Sequence, residues 1–274
     1  MYSFEKKNVL ITGGSSGIGK ALAKRLAMEG ANVAIVGRNK EKLNSARSEI
    51  EAVRKDKGQK IETVSADVSR YQEIEAAVKG LIDRGWRLDM LINSAGVVYA
   101  GYFESIPLEE FRRVMDIDYF GTLNTARAVI PHFLSTGSGK IVNISSAAGY
   151  FSVFGYTPYS PAKFAVTALS EALRQEYKAR GIEVFAVFPP DVNTPQLVED
   201  IRLKPPETAA VTASAGKPME PDEVARIILK SVKAKRYLII PGFMNKVAYL
   251  LSKTPLDRWI TEMTLSKVQR NKIK

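Results

Sequence analysis

At 274 residues with 45% hydrophobic composition, the chain is long enough to bury a substantial core and falls in the size range of one large α/β domain. It contains no Cys and a single His, His132, which excludes disulfides, thiolate nucleophiles and multi-histidine metal sites and leaves proton transfer to Tyr, Lys or carboxylates. Lys and Arg number 40 against 29 Asp and Glu, and the resulting net charge of +11 suits an anionic cofactor, an anionic membrane or nucleic acid without choosing among them.

The first residues run directly into a strand-like segment without the apolar stretch of a signal peptide, and no run approaches the ~18 apolar residues of a spanning helix. A cytoplasmic protein, at most peripheral to a membrane, is the expectation. Short β-branched runs mark seven strands: Asn8 to Thr12, Asn32 to Val36, Ile61 to Ser65, Leu88 to Ile92, Lys140 to Ile144, Ile182 to Phe188 and Tyr237 to Ile240. Between them the spacing predicts helices at Gly17 to Gly30, Lys40 to Lys55, Pro107 to Ser135, Thr157 to Ala179 and Pro221 to Ala234. This alternation predicts a single-domain, doubly wound α/β fold of the Rossmann type, with a seven-stranded, mostly parallel sheet between helices. The predicted domain spans 1–242. Six prolines between Pro189 and Met219 break the rhythm, so about 190–219 reads as a mobile excursion near a substrate site. Residues 243–274 read as a basic amphipathic extension.

After the first strand, Thr12 to Gly19 reads TGGSSGIG, with Gly13, Gly17 and Gly19 spaced to turn the chain sharply and bring backbone N–H groups against a pyrophosphate. The second strand ends in Gly37-Arg38-Asn39, with no carboxylate where one would grip the ribose 2′-hydroxyl of NAD. Arg38 is either a solvated surface residue or the partner of a 2′-phosphate; the missing carboxylate favours the latter, and with it NADPH/NADP+. Tyr159 and Lys163 are four apart on a predicted helix and so share a face. A nearby ammonium should draw the Tyr159 pKa down from its usual value near ~10. Such a pair alone could be surface decoration, but Ser146 lies thirteen residues upstream of Tyr159 at the end of a strand.

These segments, with Asp67-Val68, Asn93-Ser-Ala-Gly96 and the Pro189 to Thr194 turn, resemble the short-chain dehydrogenase/reductase family in content and order. The resemblance implies catalysis by Ser146, Tyr159 and Lys163, with Tyr159 donating a proton to a ketone that receives hydride from nicotinamide. It also implies a cofactor site built from Gly13, Ser15, Ser16, Gly17, Ile18, Gly19, Arg38, Asp67, Val68, Asn93, Ala95 and Gly96, together with Tyr159, Lys163, Pro189, Val192 and Thr194. Asp118 stands where the family has Asn, a residue implicated in anchoring a proton-relay water; it serves that relay or merely stabilises the local helix. Pro190 replaces a common glycine and stiffens the turn.

Short stretches around Gly149 to Lys163, Pro189 to Pro195 and Lys204 to Thr208 are most similar to the 3-ketodihydrosphingosine reductases, which implies a long-chain keto lipid as substrate. An apolar groove for it would come from Val97, Phe151, Val153, Phe154 and Leu197, with Tyr99, Phe103 and Ile201, unless these are core or oligomer contacts. Helical spacing of Met244, Val247, Ala248 and Leu251 beside Lys246 and Lys253, followed by Trp259, suits a helix on an anionic membrane or one packed on the domain. The helices at Pro107 and Thr157 resemble those through which the family forms homodimers or homotetramers. The rivals are a 3-oxoacyl thioester reductase and, in another class, a nonenzymatic NADPH sensor, which should have lost the catalytic groups. Nucleic-acid binding is not expected, because the basic residues form no recognition module.

Overall fold

The computed structural model describes residues 2–213 and 216–254. Along the chain these residues form β1 (Asn8–Thr12), α1 (Gly17–Met28), β2 (Asn32–Gly37), α2 (Lys40–Val53), β3 (Ile61–Ser65), α3 (Tyr71–Asp83) and β4 (Met90–Asn93). The second half comprises α4 (Leu108–Met115), α5 (Gly121–Thr136), β5 (Gly139–Ile144), α6 (Tyr159–Tyr177), β6 (Ile182–Val187), α7 (Pro195–Leu203), α8 (Pro206–Ala213), α9 (Pro221–Lys233), β7 (Leu238–Ile239) and α10 (Phe243–Leu251). The sheet runs β3-β2-β1-β4-β5-β6-β7, and every neighbouring pair is parallel.

Each central strand is apolar on both faces because helices cover both. Val9 and Ile11 of β1 point to one side, where Leu22 and Leu26 of α1, Leu43 and Ile50 of α2 and Ile228 of α9 pack on them. Leu10 points to the other, against Val78 and Leu81 of α3 and Val129 and Phe133 of α5. At ~1.5–3 kcal/mol for each fully buried large side chain, the two layers hold the centre of the sheet rigid. The chain travels outward from β1 to β3 and then returns to place β4 on the other side of β1. That reversal leaves a crevice above the carboxyl ends of β1 and β4, where loops diverge and ligands of open α/β sheets bind.

Two segments differ from their sequence expectation. The single helix expected from Pro107 to Ser135 is interrupted by a π-turn at Asp116–Phe120, joining α4 to α5 and burying Asp118 completely. Such a turn inserts a residue into the helical ladder without a proline or glycine to announce it. The segment after Pro189 carries α7 and α8 in place of an irregular excursion, because its prolines open helices: Pro195 follows the cap Thr194, and Pro206 begins α8. Its ends are tied together where Asn193 N donates to Met219 O and Met219 N to Asp191 O. Of the two readings of the C-terminal helix, α10 matches the one packed on the domain. Asn245 is buried, and Ala248 and Tyr249 pack against Tyr150 and Phe188. Of the basic extension, Trp259 and residues 255–274 lie outside the described residues.

Candidate active site

The crevice is built from the first β–α turn. Thr12, the last residue of β1, accepts hydrogen bonds on its hydroxyl from Ser94 N at 3.2 Å and Ala95 N at 3.3 Å, joining the exits of β1 and β4. Gly13 follows at φ +67°, and a Cβ there would stand 2.7 Å from Ala95 N, so only glycine lets the two turns touch. Gly17 opens α1 at φ +51°, with the space for its absent Cβ facing Thr194. Ser16 caps α1 without a side-chain hydrogen bond, and the first turn holds no acid. The leading N–H groups and the helix dipole are therefore left for an external anion.

A cavity of about 530 Å³ is lined both by this helix start and by Ser146, Tyr159 and Lys163. Of the sequence-predicted cofactor residues, Gly13, Ser16, Gly17, Ile18, Ala95 and Gly96 form its near wall, and Pro189, Val192 and Thr194 its far wall. The glycine cradle, the uncapped helix start and the continuity with the trio fit a dinucleotide. Other predicted residues do not line this cavity. Asn93 is buried, donating from Nδ2 to Asn143 Oδ1 at 2.9 Å, and Val68 packs under Gly121. Gly19 packs on Gly13 inside the loop, and Ser15 faces Gly37. Arg38 and Asp67 pair with each other at 3.7 Å beyond the end of β2, with the Arg38 side chain 63% exposed.

The trio is positioned by β5 and α6. β5 runs into Ser145 and Ser146, and Ser146 is the extended cap of the turn Ala147–Gly149, accepting from Ala148 N at 3.1 Å. Ser145 donates from Oγ to Lys163 O at 2.9 Å, which locks the exit of β5 onto α6. The same contact demands glycine at Gly149, where a Cβ would collide with Ser145 Oγ and approach Lys163 O at 2.8 Å. Tyr159 begins α6 and Lys163 follows one turn later, its Nζ 5.5 Å from the Tyr159 ring centre and 3.4 Å from Ile144 O. The two residues are 8% and 4% exposed, so both are shielded from bulk solvent.

Asp118 completes this group. Its Oδ2 lies 3.0 Å from Lys163 Nζ, Oδ1 accepts from Val97 N at 2.8 Å, and its carbonyl accepts from Thr122 Oγ1 at 2.7 Å. Asp118 is thus the buried counter-ion of Lys163, a role neither of its sequence readings contained. Burial raises the Asp118 pKa against the pull of Lys163 and the Val97 amide. Lys163 is itself raised: burial disfavours its charge, but Asp118 and Tyr159 outweigh that. The downward shift expected for Tyr159 is not what results. Burial pushes its phenol up, Lys163 and the Ser146 hydroxyl pull down, and Asp118 adds to the upward push. Tyr159 therefore stands as a protonated donor beside a charged lysine.

On the substrate side, Val97 and Leu197 line the cavity as expected. Three other predicted residues do not, because they pack the connection between β5 and α6. Val153 is 7% exposed in a cluster with Val98, Tyr156 and Tyr159, and Phe151 packs against that cluster. Phe154 stands edge-on to Tyr102 at 6.2 Å, while its carbonyl accepts from Thr208 Oγ1 at 2.7 Å. Phe103 and Ile201 are 67% and 63% exposed, and Tyr99 borders a smaller cavity of about 330 Å³ with Leu203 and Pro205. Sequence reasoning missed Lys42, Arg113, Tyr156, Asp191 and Asp200, all in the main cavity wall. The four-residue spacing of Asp200 and Lys204 was a readable signal for part of this set.

Comparison with known proteins agrees with this geometry. Residues 7–204 match the family model described as short chain dehydrogenase. A 3-dehydrosphinganine reductase of Danio rerio is 38% identical over 224 residues, covering 81% of this chain and 67% of the relative. A 3-ketodihydrosphingosine reductase of Dictyostelium discoideum is 34% identical over 265 residues, covering 92% and 79%. Among solved structures, levodione reductase superposes with a TM-score of 0.80 at 27% identity, covering 90% of this chain and 99% of that one. An actinorhodin polyketide ketoreductase variant with NADPH gives a TM-score of 0.73 at 31% identity, covering 84% and 91%.

Proposed function

This chain belongs to the short-chain dehydrogenase family, and on that premise we propose that it uses NADPH to reduce a long-chain 3-ketone, 3-ketodihydrosphingosine, to its alcohol. The observation that carries the reading is the single cavity joining the glycine cradle to Ser146, Tyr159 and Lys163. The substrate assignment is supported by relatives bearing that name from fish to slime mould.

The residues divide the chemistry as follows. A reduced dinucleotide held through its phosphates by the Gly13–Gly17 cradle would supply hydride to the carbonyl carbon. The Ser146 and Tyr159 hydroxyls hold the carbonyl oxygen and stabilise the negative charge that grows on it. Tyr159 gives up its proton to that oxygen, and the Lys163 ammonium offsets the phenolate left behind. Asp118 keeps Lys163 charged and in place at 3.0 Å. Burial of Tyr159, Lys163 and Asp118 shields them from water and strengthens the interactions among them.

The preference for NADPH is supported by Arg38 and by Lys42, which lies in the cavity wall and adds a second cation near the cradle. Arg38→Asp should raise the Michaelis constant for NADPH far more than for NADH; equal changes would remove Arg38 from the assignment. The substrate is tested by comparing turnover of 3-ketodihydrosphingosine and a 3-oxoacyl thioester with purified protein and NADPH. Faster turnover of the thioester would overturn the sphingoid reading.

Two associations accompany this function. Phe120 and Phe164, 44% and 41% exposed beside α5 and on α6, support assembly of two or four copies through these helices, to be measured by light scattering. Phe243, Met244 and Leu250 project from α10 at 78%, 54% and 68% exposure, beside Lys246, and support contact with an anionic bilayer. Flotation with anionic vesicles should weaken as salt rises; loss of the α10 apolar side chains should abolish it.

A further inference from the structure

Beside the catalytic trio, the cavity wall contains a second buried charge cluster that the proton-transfer chemistry does not use. Asp200 of α7 is 4% exposed; its Oδ2 accepts from Tyr156 OH at 2.7 Å and lies 2.6 Å from Lys204 Nζ. Asp191 also reaches Lys204, at 3.5 Å, and the Lys204 side chain is 4% exposed. The other oxygen of Asp200, Oδ1, is buried and has no hydrogen-bond partner among the described residues.

The charges here do not cancel. Lys163 has Asp118 and Arg113 has Glu110, so those cavity cations are each matched by a carboxylate. In the α7 cluster two carboxylates share one ammonium, and burial raises the Asp200 pKa against the pull of Lys204 and Tyr156. Tyr156 cannot restore the balance, because burial and Asp200 hold its phenol far above its usual value, protonated and neutral. A buried carboxylate with an unmatched oxygen is costly unless a charged donor meets it. Both Asp191 and Asp200 line the main cavity, so the unmatched charge borders space that a ligand enters. The cluster is also close to the reacting groups: the Tyr156 ring stands edge-on to Tyr159 with centres 5.4 Å apart.

We propose that Asp200, backed by Asp191, forms an ammonium subsite that receives the protonated amine of a 2-amino-3-ketone substrate. The proposal rests on the sphingoid reading and adds to it a reason for selectivity. An amine on the carbon next to the ketone supplies a positive charge and N–H donors to this carboxylate pair, of which Asp191, with a 36% exposed side chain, is the more open. A hydroxyl supplies only a donor, and a 3-oxoacyl thioester supplies neither at that carbon. The subsite therefore selects amino ketones over acyl thioesters of equal chain length.

The test uses two ketones of the same chain length, 3-ketodihydrosphingosine and its 2-deamino analogue, with NADPH and the full-length protein. Wild type should prefer the amino ketone by at least about 30-fold in kcat/KM, the smallest effect usual for a buried charge pair. Asp200→Asn should erase that preference, lowering kcat/KM for the amino ketone at least about tenfold more than for the deamino ketone at the same pH. Equal losses on both ketones would assign Asp200 a structural role and overturn the proposal. Wild type that reduces both equally overturns it too, with the ketone assignment intact; wild type that reduces neither overturns the assignment itself. If Asp200→Asn does not melt cooperatively, Asp191→Asn is the second variant: a reduced preference supports the subsite, and an unchanged one overturns it.

Discussion

Replacing Asn245 with Ala tests whether α10 is a structural part of the catalytic domain. Asn245 is 6% exposed and spends its whole side chain on the domain. Nδ2 donates to Phe188 O at 2.6 Å and Pro241 O at 3.0 Å, and Oδ1 accepts from Tyr150 OH at 2.6 Å. Truncation removes all three bonds. Tyr150 retains the Asn245 backbone carbonyl at 3.2 Å, so the main loss is at the two carbonyls, which are left without this donor. At ~1–3 kcal/mol for each stranded buried group, the variant should lose about 3 kcal/mol. Urea denaturation followed by circular dichroism should show the midpoint fall with the slope unchanged. Hydrogen exchange should rise first in residues 243–251. Because Phe188 leads into Pro189 and Pro190 of the cavity wall, KM should rise as well. An unfolding free energy within ~0.5 kcal/mol of wild type would refute the reasoning and show that α10 contributes little to the domain.

Three further outcomes follow from the catalytic geometry. Tyr159→Phe should cost at least ~10²–10⁴ in turnover while leaving cofactor binding, followed by nicotinamide fluorescence, near wild type. Asp118→Asn should move the alkaline limb of the kcat/KM profile for reduction to lower pH. The sign follows because Tyr159 must be protonated to donate, and the substitution removes a charge that raises its pKa and that of Lys163; an unmoved limb would remove Asp118 from the proton pathway. Gly149→Ala should destabilise the protein by ~1–3 kcal/mol and reduce kcat, since the added methyl forces Ser145 away from α6. Unchanged melting and activity would show that β5 and α6 are not held by that contact.

Much of the fold was legible because its signals are local. β1 and β3 begin and end where the β-branched runs do, and the glycine loop needs only a strand before it and a helix after it. Ser146, Tyr159 and Lys163 were readable for a related reason: two lie one turn apart on α6, and the third follows the end of β5 by two residues. The π-turn at Asp116–Phe120 and the helices α7 and α8 were not, since the one has no composition of its own and the others lie where prolines suggested irregular chain.

The amino-acid sequence by itself determined the layered α/β architecture, the glycine loop and the shared face of Tyr159 and Lys163, because each rests on the spacing of neighbouring residues; the role of Tyr159 as proton donor came from the family resemblance. Only the tertiary structure decided what those groups meet. Asp118 became the buried partner of Lys163 when the π-turn brought it against α6, forty-five residues further on. Asp200 and Asp191 came to share the single ammonium of Lys204 in the cavity wall when α7 folded over the crevice. Charge pairing and desolvation depend on distance in space, which the order of residues along a chain does not contain.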